Sequence, residues 1–290
     1  MPDPTLRVVT LNAGSLLEPD WPGRRVEQVA WLDELDPDVV CLQEIWEDDE
    51  NACTAAWVVE ESAVDWHWTF GGFPFPPELG SAPDLLFGSA ILSRWPIEHR
   101  DLIALPVDER AGIDAFHRLQ LELLHVVTAG THVFSTHLSA PPAHAYHRVR
   151  QVLAIDDAVR AAVEARPSTM VPILCGDFNA EPDTDEIRYL TARATIDGRS
   201  TYFQDSWRSA AHTDPGYTGD PRVNPLCAAL GVPPKRVDYV FVGDPFGQQG
   251  AGVVRSAELA FHEPRTGTLA SDHFGLVVDI AWPAKPDRPA

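Results

Sequence analysis

Lysine is nearly missing from this 290-residue sequence, in which Lys235 and Lys285 are the only two. Acidic residues outnumber lysine and arginine by 43 to 22, so the formal net charge is −21. Proteins that hold long nucleic acids normally neutralise the phosphates with basic patches. The charge therefore favours a small or neutral-headed substrate over DNA or RNA, although a local basic patch would still admit a nucleic acid.

Long apolar runs are also missing, and without a run of about 18 apolar residues no membrane span is expected. The N-terminal Met-Pro-Asp-Pro lacks a basic region followed by an apolar one, so we expect no signal peptide. None of the four cysteines forms a Cys-x-x-Cys pair, which argues against a zinc ribbon. Cys41 and Cys175 lie within apolar runs and are expected in the core. This cysteine usage predicts a reducing, cytoplasmic compartment.

Repeats, low-complexity tracts and linkers that would divide the chain are absent as well. A hydrophobic content of 44% is enough for a sizeable core. We therefore predict a single domain over residues 1–282, a flexible polar tail over 283–290, and a monomer.

The chain does contain short apolar runs bounded by turn residues, which predict strands. The predicted strands are 6–11, 39–42, 88–97, 102–107, 118–127, 131–138, 171–175, 237–242, 253–261 and 274–282. Apolar residues three or four positions apart predict helices. These helices are 22–35 (apolar side Val26, Val29, Ala30, Leu32 and Leu35), 51–64, 143–165 (apolar side Tyr146, Val149, Val152, Ile155, Val159 and Val163) and a short one within 181–194.

Two stretches rich in Pro and Gly are predicted as loops, residues 65–87 and 208–234. The first is unusual because it also carries several Trp and Phe residues. An aromatic loop of this kind can act as a lid over a substrate, or its rings can fill the edge of the core.

The stretch 171–179 (VPILCGDFN) is the segment around which the rest of the chain makes most sense. Its apolar half reads as a buried strand, and Gly176 allows an unusual backbone angle or the close approach of a ligand. Asp177 and Asn179 are two residues apart, so in an extended backbone their side chains point to the same side. A carboxylate beside an amide suits a charged ligand. The alternative is an ordinary turn, which the same residue types favour.

Polar residues recur in this way at the ends of the predicted strands. A buried run that ends in an ionisable residue is costly unless that residue finds a partner or water. Several such residues can be stabilised together when they converge on one cleft that holds a cation. The residues concerned are Asn12, Glu44, His137, Asp177, Asn179, Asp238, Asp272 and His273.

The residue types indicate phosphoester chemistry. Glu44 and Asp272 offer hard anionic oxygens and Asn12 a neutral one, a set that suits Mg²⁺ or Mn²⁺ better than zinc. A metal there would polarise phosphorus and stabilise the leaving oxygen. Both His137 and His273 can titrate near neutral pH, so one can donate to phosphoryl oxygens while the other takes a proton from water.

Each of these residues also has an ordinary structural interpretation. Glu44 can be a surface residue, and His137 can be a structural histidine. Residues 271–273 (SDH) can form a simple turn. Asp238, which would hold the ring of the proton-accepting histidine, can instead pair with Arg236. Only their joint occurrence favours a catalytic site.

Six segments, in order, resemble the endonuclease/exonuclease/phosphatase superfamily, which includes deoxyribonuclease I, apurinic endonucleases, inositol polyphosphate 5-phosphatases and neutral sphingomyelinases. They span residues 6–280, nearly the whole chain. The segments are TLNAG around Asn12, CLQEIW around Glu44, STHLS around His137, CGDFNAEPDT around Asp177 and Asn179, KRVDYVFV around Asp238, and SDHFGLV around Asp272 and His273.

The resemblance implies an α/β fold of four layers, with two mixed β-sheets packed face to face and helices outside. It also implies roles for the residues in the matching segments. Asn12, Glu44 and Asp272 would lie at the metal, Asp177 and Asn179 would contact the scissile phosphate or the attacking water, and His137 would hydrogen-bond the phosphate or assist the leaving group. His273, oriented by Asp238, would be the general base.

The sequence therefore predicts a Mg²⁺-dependent phosphoesterase, with Mn²⁺ as the alternative ion. The net charge favours a small phosphodiester, a phosphomonoester or a lipid headgroup as substrate. The first rival is a nuclease of the same fold. The second is a binding protein that keeps the fold and has lost catalysis.

Overall fold

The computed structural model describes residues 4–48, 52–76, 84–107 and 118–289. In this part of the chain the strands form two sheets, one of seven strands and one of six. The strands are β1 (Thr5–Asn12), β2 (Val39–Asp48), β3 (Ala52–Cys53), β4 (His67–Pro74), β5 (Leu86–Ser93), β6 (Ile97–Ala104), β7 (Glu122–Thr128), β8 (Thr131–His137), β9 (Ile173–Asp177), β10 (Phe203–Asp205), β11 (Asp238–Gly243), β12 (Val254–Ala260) and β13 (Gly275–Ala281). The helices are α1 (Trp21–Leu35), α2 (Thr54–Glu61), α3 (Ala145–Ala165), α4 (Asp185–Leu190), α5 (Ser206–Ser209) and α6 (Pro225–Ala228), with a 3₁₀ turn at Pro142–His144.

Both sheets are mixed. The first has the order β12-β13-β1-β2-β5-β4, with β3 paired to β2, and the second has the order β10-β11-β9-β8-β7-β6. The pairs β1–β2 and β8–β9 are parallel, whereas their neighbours on either side are antiparallel. A parallel pair needs a long crossover connection, and α1 and α3 provide the two crossovers.

Alternate residues of each strand contribute to different apolar layers. Val8 of β1 and Val133 of β8 belong to the core between the sheets. Leu11 packs in the cluster that includes α1 and α2, and Phe134 in the cluster that includes α3 and α4. The result is a helix–sheet–sheet–helix sandwich, which confirms the predicted fold.

The predicted helices form, but their buried faces differ from the prediction at two positions. Val26 of α1 is 42% exposed and Tyr146 of α3 is 61% exposed. In α3 the buried stripe instead includes Arg148, which binds Glu186 at 3.0 Å, and Gln151, whose amide oxygen accepts from the Ser139 N–H. Apolar spacing alone misplaces this face because the helix buries polar residues that have partners.

The prediction of a loop over residues 65–87 is wrong for its described part. Strand β4 pairs with β5 along the whole of its length. Its glycines permit close strand contact, since a Cβ on Gly88 would lie 2.1 Å from the Gly71 oxygen. Trp66 and Phe75 are buried, which favours rings that fill the core over a lid. Residues 77–83 lie outside the described part of the chain.

Other strand boundaries also shift. The predicted strand 88–97 is two strands, because β5 ends at Ser93 and β6 begins at Ile97. The predicted strand 102–107 is the second half of β6. Strand β2 does not stop at residue 42 but continues to Asp48 through an irregularity in its pairing with β5.

The residues after β13 contact the body of the protein. The Lys285 ammonium donates to the Thr5 oxygen and the buried Asp38 carboxylate, and Arg288 donates to Asp36 and Asp38. These contacts favour a docked segment over the flexible tail predicted for 283–290.

All four cysteines are buried and unpaired, as expected for Cys41 and Cys175. None of the helices in the described residues is long and apolar enough to cross a membrane.

Candidate active site

The core between the sheets becomes polar at one end of the sandwich. The inward positions of β9 and β11 are apolar at Cys175 and Val240, and two residues away they are Asp177 and Asp238, which pair across the two strands. His137 ends β8 in register with Asp177. Period-two alternation therefore places all three side chains between the sheets. Each of them is buried.

Glu44 reaches the same place through a β-bulge. By simple alternation Glu44 would face the helix side of the sheet, because Cys41 faces inward. The register with β5 breaks between Leu42 and Ile45, and Glu44 has a φ of 56°. The bulge turns its carboxylate toward the site, where one oxygen lies 2.9 Å from the Asn12 amide nitrogen and 3.8 Å from His137 Nε2.

Asn179 enters the site from a turn and not from an extended backbone. Its φ is 48°, in the left-handed region, and its N–H donates to Asp177 Oδ1 at 2.8 Å. Its side-chain amide donates to the Leu138 oxygen and to His137 Nε2, both at 3.0 Å. The turn and the site that the sequence offered as alternatives are thus both present.

Asp238 holds the ring of His273. The distance from its Oδ2 to His273 Nδ1 is 2.8 Å, and the other ring nitrogen lies 3.9 Å from Asp177 and 3.8 Å from Asp272. The alternative pairing of Asp238 with Arg236 is wrong. Arg236 makes a bidentate contact with Asp205 at 2.9 and 2.7 Å.

The surrounding charges set the ionisation of this pair. Burial disfavours a charged His273 ring, but Asp238, Asp272 and Asp177 outweigh it and raise the pKa of His273 well above its ordinary value. Burial likewise opposes ionisation of Asp177, but the nearby His273, His137 and Lys235 lower its pKa. A cation bound by the carboxylates around His273 would lower this pKa and so favour the unprotonated ring that can accept a proton.

The pKa of His137 shifts in the direction opposite to that of His273. Burial lowers its pKa, so the ring is neutral. Because the Asn179 amide donates to the Leu138 oxygen and to His137 Nε2, that ring nitrogen is an acceptor here. Donation to a phosphate from Nε2 would require the ring proton to move from Nδ1 to Nε2, or the ring to gain a second proton.

The carboxylates of the site fit a divalent cation. Burial, together with the neighbouring Asp272, raises the pKa of Glu44 to about 8. A buried carboxylate whose ionisation is opposed by a neighbouring carboxylate is stabilised when a hard cation binds beside it. Asn12 is oriented differently from the prediction, since its amide nitrogen faces Glu44 and Asp177 while its oxygen accepts from the Gly14 N–H. A metal contact through that oxygen would require the amide to turn.

Three residues of the site were not found by sequence reasoning. Thr218 accepts from the N–H groups of Val237 and Asp238, and Asn224 donates to the backbone oxygens of Ser271 and Asp272. Both come from the loop 208–234 and hold the backbone next to Asp238 and His273. The only sequence signal is the Asn-Pro pair that caps α6.

Lys235 is the third of these residues. Its charge acts on His137 and Asp177, and among the described residues its ammonium has no hydrogen-bond or ion-pair partner. Lys235 is one of only two lysines in the chain, and it is half-buried beside the acidic residues of the site. This position makes it a candidate contact for an anionic substrate.

Comparison with known proteins places this arrangement in a family. The profile of the Endonuclease/Exonuclease/phosphatase family matches residues 9–273. The fold is similar to TDP2 from Caenorhabditis elegans (17% identity, 96% of this chain and 75% of that one, TM-score 0.69). It is also similar to D. rerio TDP2 complexed with single strand DNA product (18%, 96% and 99%, TM-score 0.69) and to an endonuclease/exonuclease/phosphatase from Beutenbergia cavernae (23%, 96% and 71%, TM-score 0.63).

A search of curated proteins finds no match. At these identities the solved structures show the fold alone, whereas the family profile covers most of the sequence, including the segments from Asn12 to His273. The chain belongs to the Endonuclease/Exonuclease/phosphatase family and is a metal-dependent phosphoester hydrolase.

Proposed function

We propose that this enzyme hydrolyses a P–O bond in a small-molecule or lipid-headgroup phosphoester, with Mg²⁺ as its metal and Mn²⁺ as a substitute. The observation that carries the proposal is the contact between Asp238 and His273. It leaves His273 Nε2 directed between Asp177 and Asp272, at 3.9 and 3.8 Å. That is the place for a water molecule whose proton the ring can take.

The proposed roles of the other residues follow from their positions. Asp177 and Asn179 orient the attacking water or the scissile phosphate. His137 contacts the phosphate or the leaving oxygen, and Lys235 offsets the negative charge of the phosphate. Glu44 and Asp272 hold the metal, with Asn12 beside them. A bound Mg²⁺ supplies Lewis-acid polarisation of the phosphoryl group and stabilises the leaving oxygen.

Two observations support a small or lipid substrate. The formal charge of −21 repels a long polyanion. In addition, Leu16 and Leu17 are 36% and 51% exposed in the loop that starts at Gly14, and a Cβ on Gly14 would lie 3.3 Å from Asp272. Exposed leucines in a loop whose first residue approaches Asp272 suit an apolar substrate group better than a duplex.

A nuclease is the second candidate. A similar fold is known for D. rerio TDP2 with a single strand DNA product. A single strand is also thin enough to reach an acidic cleft with one local cation, and Lys235 is such a cation.

A substrate screen with added Mg²⁺ separates these candidates. It should include sphingomyelin, inositol phosphates, nucleotides, single-stranded DNA and supercoiled plasmid, with the His273→Ala chain as a control for contaminating activity. We expect turnover of a small ester or lipid headgroup. Cleavage of DNA alone would favour the nuclease, and a folded chain inactive on all five classes would favour a binding protein.

Metal removal is the companion test. Chelation with EDTA should abolish turnover and Mg²⁺ should restore it, because the paired carboxylates otherwise lack their counter-ion. Activity that survives exhaustive chelation would rule out the proposed metal.

A further inference from the structure

A second group of metal-ligand side chains lies on the outer face of the six-stranded sheet. His99 and Asp101 are two residues apart on edge strand β6, and Asp101 is directly opposite His125 on β7. His132 follows on β8, stacked on His125 with their ring centroids 5.2 Å apart. On β8 the catalytic His137 is five residues further on, roughly 17 Å away at ~3.3 Å per residue. The cluster is therefore separate from the active site.

A chain of hydrogen bonds fixes the proton positions of its two inner rings. The Arg166 backbone oxygen can only accept, and it lies 2.7 Å from His132 Nε2. In a neutral ring the other nitrogen, His132 Nδ1, is then an acceptor, and it lies 3.0 Å from His125 Nε2. His125 therefore carries its proton on Nε2, and its Nδ1 presents a bare lone pair.

That lone pair has no protein donor. His125 is 1% exposed, and its Nδ1 has no hydrogen-bond partner in the described part of the chain. The group it faces is Asp101 Oδ2 at 3.6 Å, which is also an acceptor and lies beyond hydrogen-bond distance. Two acceptors that face each other, one of them buried, are stable when a cation lies between them.

A proton on His125 is not that cation. A proton on His125 Nδ1 would make a charge-assisted hydrogen bond to Asp101 of about 2.7–2.9 Å, and the two atoms lie 3.6 Å apart. Neutral imidazole is the form that binds metals. Metal-binding histidines usually donate a hydrogen bond through the nitrogen that does not bind the metal. His125 does so, since its Nε2 donates to His132 Nδ1.

We propose that His125 Nδ1, an Asp101 oxygen and His99 Nε2 form a second cation site for a transition metal of the Zn²⁺ class. The three ligand atoms all lie within 4.8 Å of one another. Ligands of tetrahedral zinc are ~3.4 Å apart, given zinc–ligand distances of ~2.0–2.2 Å, and the separation of His125 from Asp101 is 3.6 Å. Two imidazoles and one carboxylate suit Zn²⁺, Co²⁺ or Ni²⁺ and not Mg²⁺.

His99 requires local changes in its ring proton, its contact with Arg166 and its distance from Asp101 to serve as the third ligand. Its Nε2 lies 2.6 Å from Asp101, and its Nδ1 accepts from the exposed Arg166 guanidinium at 3.2 Å. When a metal takes Nε2, the ring proton moves to Nδ1 and Arg166 swings away. The ion would link edge strand β6 to β7 and, through His132, to the end of α3, whose C-cap is Arg166. The site therefore stabilises the exposed edge of the second sheet.

The test uses the full chain in excess Mg²⁺, with Co²⁺ and Zn²⁺ as probes. Co²⁺ should produce visible absorption bands of a low-coordinate site with imidazole ligands, and Zn²⁺ should displace it. The bands should persist in the Glu44→Gln/Asp272→Asn chain, which lacks the carboxylates of the active-site metal. Bands that disappear in that chain, or that never form, would overturn the proposal.

Two variants test the ligands directly. His125→Gln keeps a donor toward His132 and removes Nδ1, and Asp101→Asn removes the charge from a half-exposed side chain. Each should weaken Zn²⁺ binding by about 10- to 100-fold or more, since loss of an outer-shell partner alone has that effect. His262→Gln, an exposed histidine elsewhere, should change nothing. Asp101→Asn decides the matter if His125→Gln does not fold, and unchanged Zn²⁺ affinity in it would refute the site.

Discussion

Asp238 fixes one nitrogen of His273 and thereby aims the other, so the proposed general base depends on this contact. Replacing His273 with Ala should lower kcat by about 10²–10⁴-fold, because a positioned general base contributes that much. Steady-state kinetics with Mg²⁺, on the substrate that the screen identifies, measure the effect. Asp238→Asn keeps the shape and should also lower kcat while leaving KM nearly unchanged.

The exposed His262 provides the control for this experiment, since His262→Ala removes an imidazole from outside the site. Its kcat should equal that of the unmodified chain. Circular dichroism should show the same fold for all variants. If His273→Ala turns over at the normal rate, another group accepts the proton.

Glu122 is a buried acid that the proposed chemistry does not use. One of its oxygens accepts from Ser89 at 2.8 Å, and the other has no partner among the described residues. Burial raises its pKa to about 8 from an ordinary 4.5. Because the pKa of Glu122 is higher in the folded protein than in the unfolded chain, its contribution to the free energy of unfolding is fully present below pH 4.5. This contribution is lost as the pH rises toward 8.

Glu122→Gln should therefore stabilise the protein at high pH. The difference in unfolding free energy between variant and parent should grow by about 1.4 kcal/mol for each pH unit between pH 5 and 8. Urea unfolding at several pH values measures it. Glu258→Gln, at an exposed position, is the matched control and should show no such trend. A constant difference for Glu122→Gln would mean that this carboxyl is ionised in the folded protein.

At the scale of elements, the parallel pair β8–β9 presents two of the proposed catalytic side chains, and it depends on one glycine. Gly176 has a φ of 142°, and a Cβ there would lie 1.9 Å from the Thr136 backbone oxygen. Gly176→Ala should cost about 2–5 kcal/mol, from backbone strain together with the steric clash. It should also lower activity, because Asp177 is the next residue.

Urea denaturation of Gly176→Ala measures this loss. Gly219→Ala is the control, since a Cβ there meets nothing closer than 3.5 Å and its φ is not in the left-handed region. That variant should stay within about 1 kcal/mol of the parent. Equal stabilities of the two variants would show that β8 and β9 can move apart without loss.

The sequence predicts the elements with simple periodicity. Strands β1, β8, β9, β11, β12 and β13 and helices α1 and α3 are found near their expected bounds, because one apolar period persists along each. Strand β4 is missed, since its glycines and prolines indicate a loop while the structure uses Gly71 and Gly72 for close strand contact. Composition does not distinguish these two uses of glycine.

The sequence predicts those site residues whose position follows from the alternation of side chains along a strand. Asp177, Asp238 and His137 follow from the inward positions of their strands. Glu44 requires a bulge and Asn179 a left-handed turn, and neither conformation is encoded in a period. Both residues were identified because they follow predicted strands, but the conformations that bring them into the site were not predicted. The supporting Thr218 and Asn224 lie in an irregular loop, where only tertiary contacts give them a role.

At the scale of the whole molecule, the candidate active site is assembled where two sheets from distant parts of the chain meet face to face. The first sheet supplies Asn12 and Glu44, and the second supplies His137, Asp177 and Asp238. The site lies within a molecule whose formal charge is −21. Lys235 lies beside the site, and its ammonium has no partner among the described residues. The candidate site therefore combines the net negative charge of the whole molecule with a positive side chain close by.

This charge distribution predicts an unusual salt dependence. Salt screens exposed charges beyond ~8–10 Å at physiological ionic strength, so it should weaken the long-range repulsion more than the local contact. With single-stranded DNA, kcat/KM should rise between about 50 and 200 mM NaCl at fixed Mg²⁺, whereas most nucleic-acid enzymes lose affinity over that range. A zwitterionic ester should show no change.

Lys235→Gln is the matched variant for this prediction. It should lower kcat/KM for every anionic substrate while keeping the upward slope with salt, because the slope comes from the net charge and not from the lysine. If kcat/KM for DNA instead falls steeply with salt in the parent chain, the protein has a local basic surface that outweighs its net charge. In that case the nuclease becomes the better description, since counterion release from a polyanion is the physical origin of a falling slope.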